Sequence, residues 1–289
     1  MSVVRCRLVI LLFVLNLFSG VVRADVLVLV HGWAANADTW LQSGVASELI
    51  KQGWQDAGVV ATTPVGVRHY PLLQSGNQSE KKSGSTTKLF YRVQLPAAAP
   101  LLLQASHLTS ELVFIQGLHS SEKLIVAGHS AGGVIARLVA IRPEYVHIKS
   151  LITIASPHLG TPRAFDGLNV VDSKPFFCPG PGIDFLKTVF GGGQYQYLKD
   201  SRGAMIDMAP VGKGTLLDWL NQQPHPDIQY HSIIHTGHDD MVPAQSQDMN
   251  QVPILRGRVK VYSTPAIHGL HPADGKLLTD IVEQVTRSK

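Results

Sequence analysis

The chain has 289 residues, 45% of them hydrophobic, with 25 Lys and Arg against 21 Asp and Glu. Arg5, Arg7 and Arg23 fall in a removable-looking amino-terminal segment, and without them 22 bases face 21 acids, which is no charge footprint for nucleic acid. Cys6 falls in the same segment, so Cys178 stands alone in the rest, no internal disulfide can form, and stability must come from a core that a chain of this length can bury.

Residues 1–24 read as an export signal. Arg5 and Arg7 make a basic start, Leu8 to Phe18 an apolar run broken only by Asn16, and Val22-Arg23-Ala24 puts small residues at a cleavage position. The run is shorter than the roughly 20 residues of a membrane span, which disfavours the alternative of an uncleaved anchor. Cleavage after Ala24 predicts one exported domain over 25–289, periplasmic or extracellular.

Val26-Leu27-Val28-Leu29-Val30 is a continuous apolar run, as in a strand buried on both faces, and it ends at His31-Gly32-Trp33. Asp38 or Thr39 can cap a helix to about Gln52. Gly58 to Leu73 is turn-rich and extended, and Gln74 to Thr87 is a polar loop. Leu89 to Pro96 reads as a strand and Pro100 to about Leu118 as a helix.

Leu124-Ile125-Val126-Ala127 leads into Gly128-His129-Ser130-Ala131-Gly132 and then a helical run to about Ile141. Strand, sharp turn with serine at the apex, and helix make the context of a nucleophile elbow, where flanking glycines allow the close approach. Ile148 to Ala155 is another buried strand. From 157 to about 226 the alternation gives way to turns and short helices, including Phe185 to Phe190 and Leu216 to Leu220. It resumes with strands at Ile228 to Thr236 and Val259 to Ser263, and closes on an amphipathic helix from Gly275 to Val285.

This pattern predicts an α/β fold with a mostly parallel central sheet, helices on both faces and a cap inserted at about 157–226. Phe165, Phe176, Phe177, Phe185 and Phe190 give the cap an apolar character. They either pack it onto the body or line an acyl pocket, in which case Phe185 and Phe190 touch substrate.

A serine needs a base and the base an orienting carboxylate, in the order Ser, acid, His for such sheets. Thr236-Gly237-His238-Asp239-Asp240-Met241-Val242-Pro243 and Thr264-Pro265-Ala266-Ile267-His268-Gly269-Leu270-His271 supply both in order. Ala131 N–H, next to the nucleophile, is one expected oxyanion donor.

With His31-Gly32-Trp33, the elbow, Ser156-Pro157-His158-Leu159-Gly160, Asp239 to Pro243 and His268-Gly269-Leu270 all present, the chain resembles an α/β-hydrolase of the secreted bacterial lipase and esterase type. The resemblance implies Asp239 as the acid, since two residues separate it from a Val-Pro pair, with Asp240 the alternative. It favours His268 as the base, which also follows the last strand most closely, with His271 in reserve. Similarity with His-Gly loops after the first strand implies Trp33 N–H as the second oxyanion donor. His31 and His129 are expected beside the substrate.

His231, His235 and Asp239 would make a plausible zinc set, but a strand inside a parallel sheet leaves little room for a solvated metal. No carboxylate run has calcium-loop spacing, and Gly212-Lys213-Gly214-Thr215 lacks the phosphate-loop order and reads as a turn. No metal or cofactor is expected. The reading is a serine carboxylic-ester hydrolase acting on a lipid or small ester through an acyl-enzyme, with transient contact to a lipid interface and no nucleic acid. The alternatives are a thioesterase or acyltransferase with the same triad, and a catalytically silent binding module.

Overall fold

A computed structural model describes residues 24–72, 87–119, 122–172 and 195–287 of the chain. Its eight strands are β1 (Ala24–Val30), β2 (Gln55–Thr63), β3 (Gly66–Tyr70), β4 (Thr87–Gln94), β5 (Leu124–His129), β6 (Ile148–Ile154), β7 (Gln229–His235) and β8 (Val259–Thr264). They form one sheet in the order β3-β2-β4-β1-β5-β6-β7-β8. Every pairing is parallel except the antiparallel hairpin of β2 and β3.

The unbroken apolar run of β1 follows from its central place. Val26, Val28 and Val30 enter one core, with the helices Leu101–Leu118 and Ala131–Ala140, while Leu27 and Leu29 enter the other, with Trp40, Leu49 and the helix Pro272–Arg287. Successive strand side chains point to opposite faces, so two covered faces leave no position for a polar residue. Each such side chain contributes about 1.5–3 kcal/mol when fully buried.

The single helix expected from Thr39 to Gln52 is two, Thr39–Gln42 and Val45–Lys51. Gly44 between them has φ +81°, a left-handed turn that ends one helix and starts the other. The turn-rich stretch after Gly58 is the β2–β3 hairpin. Otherwise the expected strands and helices form where the apolar periodicity placed them, within a few residues at the ends. Residues 1–23, most of the loop 74–87, and the expected helix Phe185 to Phe190 lie outside the described residues. Between β6 and β7 the structure describes the helices Arg163–Asp172, Tyr195–Asp200, Arg202–Asp207 and Leu216–Gln222. Gly212 to Thr215 is a turn, with Thr215 Oγ1 capping the last of these helices through Asp218 N–H.

Among the described residues no helix is long and apolar enough to cross a membrane.

Glu111, wholly buried in the helix Leu101–Leu118, ties that helix to the edge of the sheet by accepting from Thr62 N–H at 2.8 Å. Its other carboxylate oxygen has no partner, and burial pushes its carboxyl up to about 8 against the hydrogen bond from Thr62. Between the ordinary carboxylate range and that value the folded chain holds a proton the unfolded chain has lost, so Glu111 makes stability fall as pH rises. Glu111→Gln keeps the acceptor and cannot ionise. Its melting temperature relative to the parent should climb between pH 6 and 8, by about 2–4 °C per pH unit, since one pKa unit is about 1.4 kcal/mol, and should level off above pH 8. Thermal melts at pH 6 to 9 check this.

Candidate active site

The elbow is defined by how closely backbone approaches backbone. Ser130, between β5 and the helix Ala131–Ala140, has φ +52° and ψ −128°, a conformation that costs a non-glycine residue about 1–3 kcal/mol. The surrounding glycines hold it there. A Cβ on Gly128 would lie 2.5 Å from Gly133 N, and one on Gly132 2.4 Å from the carbonyl oxygen of His31. A Cβ on Gly32 would lie 2.9 Å from Cβ of Ser130, so the loop after β1 abuts the nucleophile directly.

Ser130 Oγ, His268 Nε2, His268 Nδ1 and Asp239 Oδ2 form one line. Ser130 Oγ is 3.0 Å from His268 Nε2, and His268 Nδ1 donates to Asp239 Oδ2 at 2.9 Å. Three loops at the carboxyl ends of β5, β7 and β8 bring these side chains together across more than a hundred residues of sequence. The Asp239 side chain is all but sealed, that of His268 is one-fifth exposed, and Ser130 is 8% exposed, so the line opens at its reacting end.

Asp239 is held as an anion. Burial by itself would raise its carboxyl, but the hydrogen bond and charge of His268 and the amides of Val242 and Met241 outweigh it and hold the carboxyl below the usual range. Oδ1 accepts from Met241 N–H at 2.8 Å and Val242 N–H at 2.9 Å. Oδ2 also accepts from the Gln247 amide at 2.9 Å.

Asp240 is exposed, and its carbonyl accepts from Arg163 Nε. His271 is exposed and starts the closing helix, where its ring Nδ1 accepts from Ala273 N–H. Neither alternative reaches the line.

The loop His31 to Asp38 is pinned from β4. Arg92, 2% exposed, is paired with Asp38 at 2.6 Å and Asp56 at 3.1 Å, and Ala37 N–H donates to Gln94 Oε1. His31 does not serve as the expected substrate contact. It is fully buried, Nδ1 donates to its neighbour's carbonyl on Gly32, and Nε2 accepts from Leu95 N–H at 3.0 Å, which uses both nitrogens. His129 likewise lies behind the line rather than in its opening, donating from Nε2 to the His268 carbonyl at 2.9 Å. Its ring packs against those of His268 and His235. Burial, with smaller contributions from His268 and His235, lowers it to about 3 and keeps it neutral.

Ala131 is the first residue of its helix, where N–H groups have no partner within the helix. Trp33 belongs to a small apolar cluster with Leu168, Val170, Val171, Leu198 and Met205, all from the segment between β6 and β7. Ala34 N–H donates to Tyr197 Oη of that segment at 3.1 Å. Phe165 is half exposed, and Phe185 and Phe190 lie outside the described residues.

His231, His235 and Asp239 do not converge. His231 stacks on Tyr262, His235 meets Asp274, and Asp239 meets His268. Among the described residues no three such side chains could hold a metal ion. Gln247 and the pair His235 and Asp274 were not evident in the sequence, since no local pattern marks a residue that acts only through tertiary contacts.

A family model described as a PGAP1-like alpha/beta domain matches residues 26–172, just over half of the chain. The chain belongs to this family. The match takes in the His31 loop and the elbow and stops before Asp239 and His268. A GPI inositol-deacylase of Debaryomyces hansenii is 42% identical over 74 residues, 23% of this chain and 7% of that protein. One of Neurospora crassa is 30% identical over 118 residues, 34% of this chain and 9% of that protein. The matched stretches are thus less than a tenth of the length of these relatives.

By structure the chain is similar to the mature Bacillus licheniformis lipase BlEst2, with TM-score 0.54, 14% identity and 91% of each chain covered. It is similar also to the RedJ thioesterase of Streptomyces coelicolor, with TM-score 0.52, 14% identity and 90% of each chain covered. These likenesses show the α/β-hydrolase fold. The relatives matched by sequence are inositol-deacylases rather than secreted bacterial lipases.

The close approach at the elbow has a direct consequence. Gly132→Ala should cost about 1–3 kcal/mol, because the methyl group meets fixed backbone. Gly117→Ala, in a helix with open space around it, should instead gain about 0.5–1 kcal/mol. Melting temperatures moving in opposite directions would show this.

Proposed function

We propose that the protein is an exported serine carboxylic-ester hydrolase that removes acyl groups from lipid esters. The observation that carries the reading is the continuous line from Ser130 through His268 to Asp239, with Asp239 saturated by donors.

In this reading Ser130 Oγ attacks the ester carbonyl carbon while its proton passes to His268 Nε2. Asp239 holds the imidazole in the tautomer with Nδ1–H and stabilises the imidazolium. The Ala131 and Trp33 N–H groups face the developing oxyanion, a role supported by the contact of Gly32 with Ser130. His268 returns the proton to the leaving oxygen, which departs as an alcohol and leaves an acyl-serine. Water, deprotonated by the same His268, then attacks the acyl carbon, and Ser130 is restored with release of the acid.

Relatives named for deacylating an inositol favour an acyl ester on a lipid-borne inositol hydroxyl as the first natural substrate to try. The apolar cluster around Trp33 suits an acyl chain and a brief contact with a lipid interface. The segment between β6 and β7 then acts as the cap over the site, and residues 1–24 as the export signal.

A fluorophosphonate probe and p-nitrophenyl esters of rising chain length test the proposal. Wild-type protein should be labelled and Ser130→Ala should not. Ester turnover should increase toward longer chains, and no turnover of any ester would overturn the reading. Asp239→Asn should lower kcat about 10⁴-fold by favouring the wrong tautomer, whereas Asp240→Asn should change it little.

A further inference from the structure

Beside the Ser130 line lies a second histidine–aspartate pair that the chemistry above does not use. His235 ends β7, and Asp274 sits in the first turn of the helix Pro272–Arg287. Both side chains are fully buried, and they meet at 3.1 Å between Nε2 and Oδ1. The other ring nitrogen, Nδ1, faces the carbonyl oxygen of Ile267 at 2.5 Å. A carboxylate oxygen and a carbonyl oxygen only accept, so each contact requires a proton on the nitrogen. A ring that donates from both nitrogens is an imidazolium.

Asp274 is built to be its anion. Oδ1 also accepts from Thr264 Oγ1 at 2.5 Å, and Oδ2 from His271 N–H at 2.8 Å. Burial alone would raise its carboxyl, but these bonds and the charge of His235 outweigh burial and hold it low. A buried ion pair adds little net stability, because desolvation offsets the attraction, although losing one partner is costly. Its worth lies in where it fixes the chain.

What it fixes is the irregular loop 265–271, which carries His268. Two consecutive carbonyls of that loop are gripped by buried imidazoles, Ile267 by His235 and His268 by His129. The start of the loop is tied to Asp274 through Thr264 and its end through His271 N–H. The loop is also joined to the acid side of the site. Gln247 accepts from the backbone N–H of His235 at 2.8 Å and donates to Asp239.

We propose that the buried His235–Asp274 ion pair is the positioning device for His268, setting the loop so that Nε2 stands within reach of Ser130 Oγ. The proposal rests on the reading of Ser130 and His268 as the reacting pair. His235 and Asp274 touch neither substrate nor reacting atoms. They act through the Ile267 carbonyl and the two ends of the loop.

The test uses His235→Gln and Asp274→Asn together with nitrogen-15 NMR of the wild-type histidines. The expected spectrum shows His235 protonated on both nitrogens at neutral pH. Variants that melt in one cooperative transition should hydrolyse p-nitrophenyl esters with kcat lowered about 10- to 100-fold, the cost of misplacing a catalytic group by up to about 1 Å. Their KM should stay within about twofold, and fluorophosphonate labelling should slow by the same factor as kcat. A neutral His235 in the wild type would overturn the proposal even if neither variant folds. Folded variants with full kcat would also overturn it. Failure of wild-type protein to label would instead overturn the role of Ser130, and the positioning role with it, even with His235 doubly protonated.

Discussion

The active-site geometry depends on the contact of three backbone segments around Ser130. The end of β1, the end of β5 and the first turn of the following helix approach so closely that Gly32, Gly128 and Gly132 have no room for a Cβ. That contact keeps Ser130 at φ +52°, a conformation the chain would leave if the packing loosened. It is possible only because β1 and β5 are central, parallel neighbours with both faces covered. The interior of the sheet thus holds the strain that presents the hydroxyl.

Around this fixed point the other groups are supported from outside their own elements. Asp239 takes two amides from its own turn and a third donor from Gln247. The turn is in turn joined to the loop after β6, where Ser246 accepts from His158 N–H and Leu159 N–H and donates to the Gly160 carbonyl. Thr161 Oγ1 donates to the Met241 carbonyl. Loops with no ladder of their own are held at many polar points, as a site requiring a defined hydrogen-bond line demands. Histidines do much of this. His31, His129 and His235 brace the loops, and His268 alone is turned to Ser130.

The segment between β6 and β7 is coupled to the site by a different kind of contact. Its Leu168, Val170, Val171, Leu198 and Met205 gather on Trp33, and its Tyr197 takes the N–H of Ala34. A shift of this segment would therefore be felt in the loop that abuts Ser130. The family match, which ends at residue 172, covers the nucleophile and this loop but neither the acid nor the base. The half of the site nearest the sheet centre is thus the half that the family model recognises.

Much of this was legible along the chain because it is local. The run Val26 to Val30 had to be a doubly buried strand, and Gly-x-Ser-x-Gly after an apolar run had to be a sharp turn, since each statement concerns neighbours in sequence. The order of a serine, an acid and a histidine could be read for the same reason, as each follows its own strand, whereas Asp239 was favoured over Asp240 only through the family resemblance. What the sequence could not decide was which of several like residues would converge. Asp239 and Asp240 are adjacent, as types His31, His129, His235 and His268 are identical, and only burial and distance separate a brace from a base. Gly44 splitting a helix, Gln247 behind Asp239 and Asp274 beneath His235 all depend on partners brought close by the sheet. Periodicity reports which face a residue shows to the core, whereas these roles depend on what stands opposite it, and that was decided by the tertiary structure alone.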